Sequence, residues 1–95
     1  MGYDIKGIVI KIGDVQRVSD KLTKREVIIE TAENPKYPQL IPVELVNDRT
    51  TMADGLSVGD SVRAEVDVRG RAWTKPGGET KYFLSLHVWK IERTS

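Results

Sequence analysis

The 95-residue chain has no cysteine, a single histidine, six aromatic residues and no apolar run approaching the roughly 20 residues that a membrane span requires. Without cysteine there is no disulfide, no thiolate nucleophile and no zinc site of the common Cys-rich kind, and the composition fits a reducing compartment. The lone His87 alternates on an apolar stretch beside Trp89 and is read as a structural residue, while Gly77-Gly78 meets the demands of a turn, not of a phosphate cradle. Catalysis needs a nucleophile, a base and an orienting group within reach of one another. No such set is present, so neither an enzymatic activity nor a cofactor or metal is expected. Asp4 and Lys6 fall within the first ten residues, which argues against a secretory leader and for a cytoplasmic protein without membrane association.

Net charge is only +1, but the charges are unevenly spread. Residues 1–25 hold six basic and three acidic side chains, residues 26–60 two and seven, and residues 61–95 seven and four, for balances of +3, −5 and +3. A basic surface therefore requires a fold that brings the two ends together. The length suits one domain, residues 1–95.

The dominant pattern has a period of two. Ile8, Ile10 and Ile12 alternate with Val9 and Lys11, and Val27-Ile28-Ile29 is a β-branched run bounded by charge. Leu40, Ile41, Val43, Leu45 and Val46 form a third run, which Pro42 assigns to an edge or bulge. Val62, Ala64, Val66 and Val68 alternate with Arg63, Glu65, Asp67 and Arg69, and Tyr82, Leu84, Leu86 and Val88 alternate with Phe83, Ser85, His87 and Trp89. Five half-buried strands follow.

The connections differ in kind. Residues 13–23 are polar and read as a long loop between the first two strands, and Asn34-Pro35-Lys36-Tyr37-Pro38 as a turn. Residues 47–56 alone have helical character, with Asn47 or Asp48 as the cap and Gly55 as the stop. Ser57-Val58-Gly59-Asp60 turns into strand four, and Thr74-Lys75-Pro76-Gly77-Gly78-Glu79 tips a long hairpin. This order predicts an all-β, five-stranded OB-fold barrel with a short helix between strands three and four and a long hairpin between strands four and five. In that barrel the first loop and the last hairpin, the two basic regions, flank one face.

The segments Gly7-Ile8-Val9, Lys24-Arg25-Glu26-Val27-Ile28-Ile29-Glu30, Leu56-Ser57-Val58-Gly59-Asp60-Ser61-Val62 and Leu86-His87-Val88-Trp89-Lys90-Ile91-Glu92 together resemble small OB-fold single-stranded-DNA-binding proteins of bacterial or phage type. They are also similar to a family of uncharacterised bacterial and phage proteins with the same barrel. The first resemblance implies binding of single-stranded DNA with little sequence preference, in replication or recombination, with replication proteins as partners. Cellular members carry a long flexible tail ending in acidic residues, which recruits those partners. This sequence ends Glu92-Arg93-Thr94-Ser95, so recruitment of that kind is not expected.

Stacking of bases on aromatic side chains and neutralisation of phosphates are what such binding needs. Trp73 lies in a polar Gly/Pro-bounded hairpin among Arg69, Arg71, Lys75 and Lys81, and alternation puts Arg69, Arg71 and Trp73 on one face. It is either a stacking platform, or a lid on its hairpin or a dimer contact. Tyr82 or Phe83 shares the platform, since one of the two must point outward. Trp89 reads as core or subunit contact, and Tyr37 as a second platform or as turn packing. Arg17, Lys21, Lys24 and Arg25 make the other basic cluster. Exposed apolar strand edges suggest a homodimer or higher homo-oligomer. RNA is an alternative ligand, and a protein-assembly subunit anchored through Trp73 is the rival reading.

Overall fold

A computed structural model describes residues 2–31 and 36–94. Six strands are present: β1 (Tyr3–Ile12), β2 (Gln16–Ser19), β3 (Leu22–Thr31), β4 (Gln39–Val46), β5 (Ser61–Thr74) and β6 (Thr80–Arg93), with a 3₁₀ helix (Asn47–Ala53) between β4 and β5. Their order in the sheet is β1-β5-β6-β4-β3-β2, and an additional β1–β3 pairing closes five of them into a ring. This is the OB-fold barrel, with the short helix and the long terminal hairpin where the sequence puts them. The polar loop of residues 13–23 is more ordered than expected. Its middle forms β2, which pairs back on β3 through Gln16↔Lys24 and Arg17↔Thr23. Among the described residues, no helix is long and apolar enough to cross a membrane.

The core is built from strand alternation. Val62, Ala64 and Val66 of β5 face Val9, Val27, Ile29, Val43, Leu45 and Val88 inside the ring, and Ala53 of the helix plugs one end. In β1 the apolar pattern gives the wrong parity. Ile8 and Ile10 are exposed while Ile5 and Val9 face inward, and a register shift between Val9 and Lys11 then changes the parity and returns Ile12 to the core. Pro42 stands opposite Ile28 of β3, and β4 meets β6 through a single parallel bridge, Glu44↔His87. Outside that bridge β4 is in effect an edge, where a missing N–H costs nothing.

A turn and a cross-strand ion pair lock the ring. At the Gly59 turn the Ser57 N–H donates to Asp60 Oδ2 at 2.8 Å and Gly59 takes φ 99°, as only glycine does without strain. The same turn is joined to β1: Gly59 N–H donates to the Val9 carbonyl and Val9 N–H to the Asp60 carbonyl. On the opposite side of β5, the Arg63 guanidinium donates to Asp4 Oδ2 at 2.8 Å. That bond, with the negative charges of Asp4, Glu65 and Glu92, holds Arg63 above its usual range, so it stays charged at any accessible pH.

The helix is not capped as expected. Neither Asn47 nor Asp48 caps it, and Val46 occupies the cap position without a side-chain bond; at the other end Asp54 is the C-cap and Gly55 follows it directly. Asn47, at φ 52°, instead accepts the Thr23 N–H on its Oδ1 at 2.9 Å, tying the helix start to β3. Asn34 and Pro35 of the expected turn lie outside the described residues.

Candidate nucleic-acid interface

The β5–β6 hairpin is much longer than the barrel needs. Val66↔Val88 and Val68↔Leu86 are the last pairs near the core, yet pairing continues without a break to Thr74↔Thr80. The result is a two-stranded ribbon standing off the barrel. Its tip is a tight turn in which Lys75 N–H donates to Glu79 O and Gly78 N–H to Lys75 O, with Gly77 and Gly78 at φ 120° and 113°.

The register of this turn decides which side chains share a face, since residues directly opposite in an antiparallel pair point the same way. Arg69↔Ser85, Arg71↔Phe83 and Trp73↔Lys81 form one side, and Val68↔Leu86, Gly70↔Leu84 and Ala72↔Tyr82 the other. Phe83, not Tyr82, therefore stands beside Arg71 and Trp73. Tyr82 belongs to the opposite face and leaves the Trp73 platform. On the first side the Arg71 guanidinium carbon lies 5.5 Å from the centre of the Phe83 ring, a cation–π contact that holds both groups upright. Trp73 is 50% exposed and Phe83 45%. Trp73 and Phe83 are thus diagonal neighbours on one face, about 7–8 Å apart at the backbone, with cations between and beside them.

Toward the barrel this face runs into a groove of about 280 Å³ lined by Leu22, Lys24, Val46, Arg69, the Gly70 backbone, Arg71, Ser85 and His87. Lys24 comes from the first basic stretch and Arg69 and Arg71 from the last, so the fold does bring the two ends together. Sequence reasoning left out His87, Ser85 and Glu44. The carboxylate of Glu44 sits 3.3 Å from His87 Nε2 and 3.8 Å from Lys24 Nζ. His87 and Ser85 continue the odd-numbered alternation from Phe83, which was the signal available for them.

The remaining cations divide. Lys75 at the turn, Lys81 opposite Trp73 and Lys21 beside β2 are exposed and form no ion pair among the described residues. Arg17 is exposed but pairs with Asp20 at 3.1 Å. Arg25 turns away from the groove: its Nε donates to Gly13 O at 2.8 Å, and its Nη1 to Thr50 O at 3.2 Å and Asp54 Oδ1 at 2.8 Å. It is a clamp within the fold, not a free phosphate ligand. Tyr37 is exposed but precedes the Thr31↔Gln39 pair, at the far end of the β3–β4 ladder from Lys24↔Val46. The ladder between them spans seven residue steps, about 23 Å of strand, and Tyr37 lies beyond its far end. Trp89 is neither core nor ribbon. It is the bulged residue where Glu65↔Lys90 gives way to Val66↔Val88, and it remains 45% exposed, with its indole nitrogen packed near Gly2.

The same barrel is found in solved structures at low sequence identity. The mitochondrial single-stranded DNA binding protein Rim1 of S. cerevisiae superposes with a TM-score of 0.72 at 14% identity, over 98% of this chain and 93% of that one. The dimeric N-terminal domain of PriB from Thermoanaerobacter tencongensis gives 0.69 at 16% identity, over 99% and 96%. Comparison with curated protein sequences finds no match. A family model does match, across residues 4–92, and by it the chain belongs to the family described as Domain of unknown function (DUF3127).

Proposed function

We propose that this domain binds single-stranded DNA with little sequence preference, in replication or recombination, as a non-catalytic cytoplasmic module. The observation that carries the reading is the Trp73–Arg71–Phe83 arrangement on one ribbon face, continuous with the groove of Lys24, Arg69 and Arg71. Aromatic rings that stack bases without reading their edges give affinity without specificity, and each contributes roughly 1–3 kcal/mol. Lys21, Lys75 and Lys81 extend the positive rim along which phosphates would run. Two solved barrels of the same shape are described as a single-stranded DNA binding protein and as PriB, which is consistent with this use of the fold.

Titration with oligo-dT at low and high salt, followed by tryptophan fluorescence with a duplex control, tests it. Quenching by the single strand that weakens with salt is expected, because bound cations release counterions from the phosphates. Trp73→Ala should remove most of the quenching while Trp89 still fluoresces, and should weaken binding by more than about 1 kcal/mol, roughly fivefold in Kd. An unaltered affinity in that variant ends the stacking role. Silence with oligo-dT at low salt ends the DNA reading and leaves Trp73 as an anchor for a protein partner. A stronger response to oligo-U would make the ligand RNA.

A further inference from the structure

We propose that the second face of the ribbon is a self-association surface, on which another copy of this chain docks about a two-fold axis. The strand side that fills the core at Val62, Ala64, Val66 and Val88 does not stop where the barrel ends. It continues as Val68, Gly70 and Ala72 opposite Leu86, Leu84 and Tyr82, with Tyr82 81% and Leu84 72% exposed. No charged residue interrupts this strip, although 31% of the chain is charged and the other ribbon face carries Arg69, Arg71 and Lys81. Core sequence has been extended into solvent.

The relief of the strip selects the occupant. One strand offers glycine and alanine, and the strand beside it leucine and tyrosine in register, so the surface is a step. A two-fold operation seats Leu84 and Tyr82 of each copy over Gly70 and Ala72 of the other, the self-complementary arrangement that such symmetry demands. Gly70 has no reason inside its own chain. A Cβ there would meet nothing within 4 Å, its φ is not among the positive values, and its pairing with Leu84 is regular. Glycine weakens a strand interior, and where no turn or bulge explains it, it marks the close approach of a ligand or another chain; the open space a Gly70 Cβ would enter is on the apolar face, where a second copy can come close.

The size also fits. With a large aromatic presenting on the order of 200 Å², the strip offers roughly 500 Å² per copy and about 1,000 Å² for the pair, the threshold of a specific interface. An interface at that threshold makes a weak, reversible dimer, micromolar or weaker in Kd. In it the two Trp73–Phe83 faces point outward on opposite sides. The surface stands independently of what those faces bind.

Sedimentation velocity of the full chain across that concentration range is the test, with Gly70→Leu and Leu84→Asp alongside and thermal melts to confirm folding. Wild-type protein should pass from monomer to dimer, and both variants should remain monomeric at concentrations at least tenfold higher. Gly70→Leu is the sharper probe, since a Cβ at that position meets nothing within 4 Å in the monomer. A wild-type chain that stays monomeric throughout, or a dimer that Gly70→Leu leaves intact, overturns the proposal and assigns the strip to another occupant or the dimer to another surface.

Discussion

Replacing Gly7 with alanine should lower stability by about 3 kcal/mol, near the top of the range for overpacking, and drop the melting temperature by roughly 12–24 °C. Gly7 stands at the point where β1 changes partners. It pairs with Val62 of β5, and the next residue, Ile8, pairs with both Ser61 of β5 and Glu30 of β3. The strands must cross closely there for the ring to close. A Cβ on residue 7 would run into the Glu30 carbonyl oxygen, with Ile29 Cγ2 at 2.8 Å and the Glu30 carbonyl carbon at 2.9 Å. Neither neighbour can give way: one is ladder backbone and the other a fully buried core side chain. Gly59→Ala is the useful comparison, because that site has open space and its cost is only the strain of a positive φ, on the order of 1 kcal/mol. Denaturant and thermal melts of both variants decide the matter. A Gly7→Ala protein no less stable than Gly59→Ala would mean that the crossing is looser than it looks.

Gly7 also shows how far the sequence could be read. Its place in an apolar stretch marks strand one, but its reason for being glycine is a contact with residue 30, which no local pattern reveals. The same division runs through the molecule. Alternation over Val62, Ala64, Val66 and Val68 identified β5 and its buried side directly, because a half-buried strand imposes period two on its own sequence. In β1 that logic chose the wrong side for Ile8 and Ile10, and the bulge that returns Ile12 to the core leaves no compositional trace. On the ribbon, both Tyr82 and Phe83 fitted a strand. Only the pairing of Arg71 with Phe83, set by the turn at residues 75–79, decided which of the two shares a face with Trp73. Asn47 was legible as a helix-start residue but spends its side chain on Thr23, a tertiary bond that outcompetes the cap. The basic clusters were legible as charge and not as geometry. Lys24 and Arg25 are neighbours in sequence and adjacent in β3, so their side chains point to opposite sides, one into the groove and one into the fold.

That opposition gives the second large effect: Arg25→Ala should cost about 2–3 kcal/mol of stability while leaving single-strand affinity unchanged. The Arg25 side chain is only 16% exposed and joins three parts of the chain. Its bonds reach the Gly13 carbonyl at the end of β1, the Thr50 carbonyl inside the helix, and the Asp54 carboxylate just after it. The ion pair contributes the least, because Asp54 is 66% exposed and water screens it. The larger loss is two charge-assisted bonds to backbone carbonyls and the packing of the aliphatic stem. Lysine at this position keeps the charge but cannot reproduce the fork, so Arg25→Lys should recover less than half of the loss. Binding separates this role from a phosphate contact. In the titration against oligo-dT, Arg69→Ala should reduce the slope of log affinity against log salt by about 0.7, the value for one phosphate contact on a single strand. Arg25→Ala, measured well below its melting temperature, should leave that slope as it is. If Arg25→Ala instead melts like the wild type and flattens the slope, then its guanidinium faces the nucleic acid, and the clamp assignment fails.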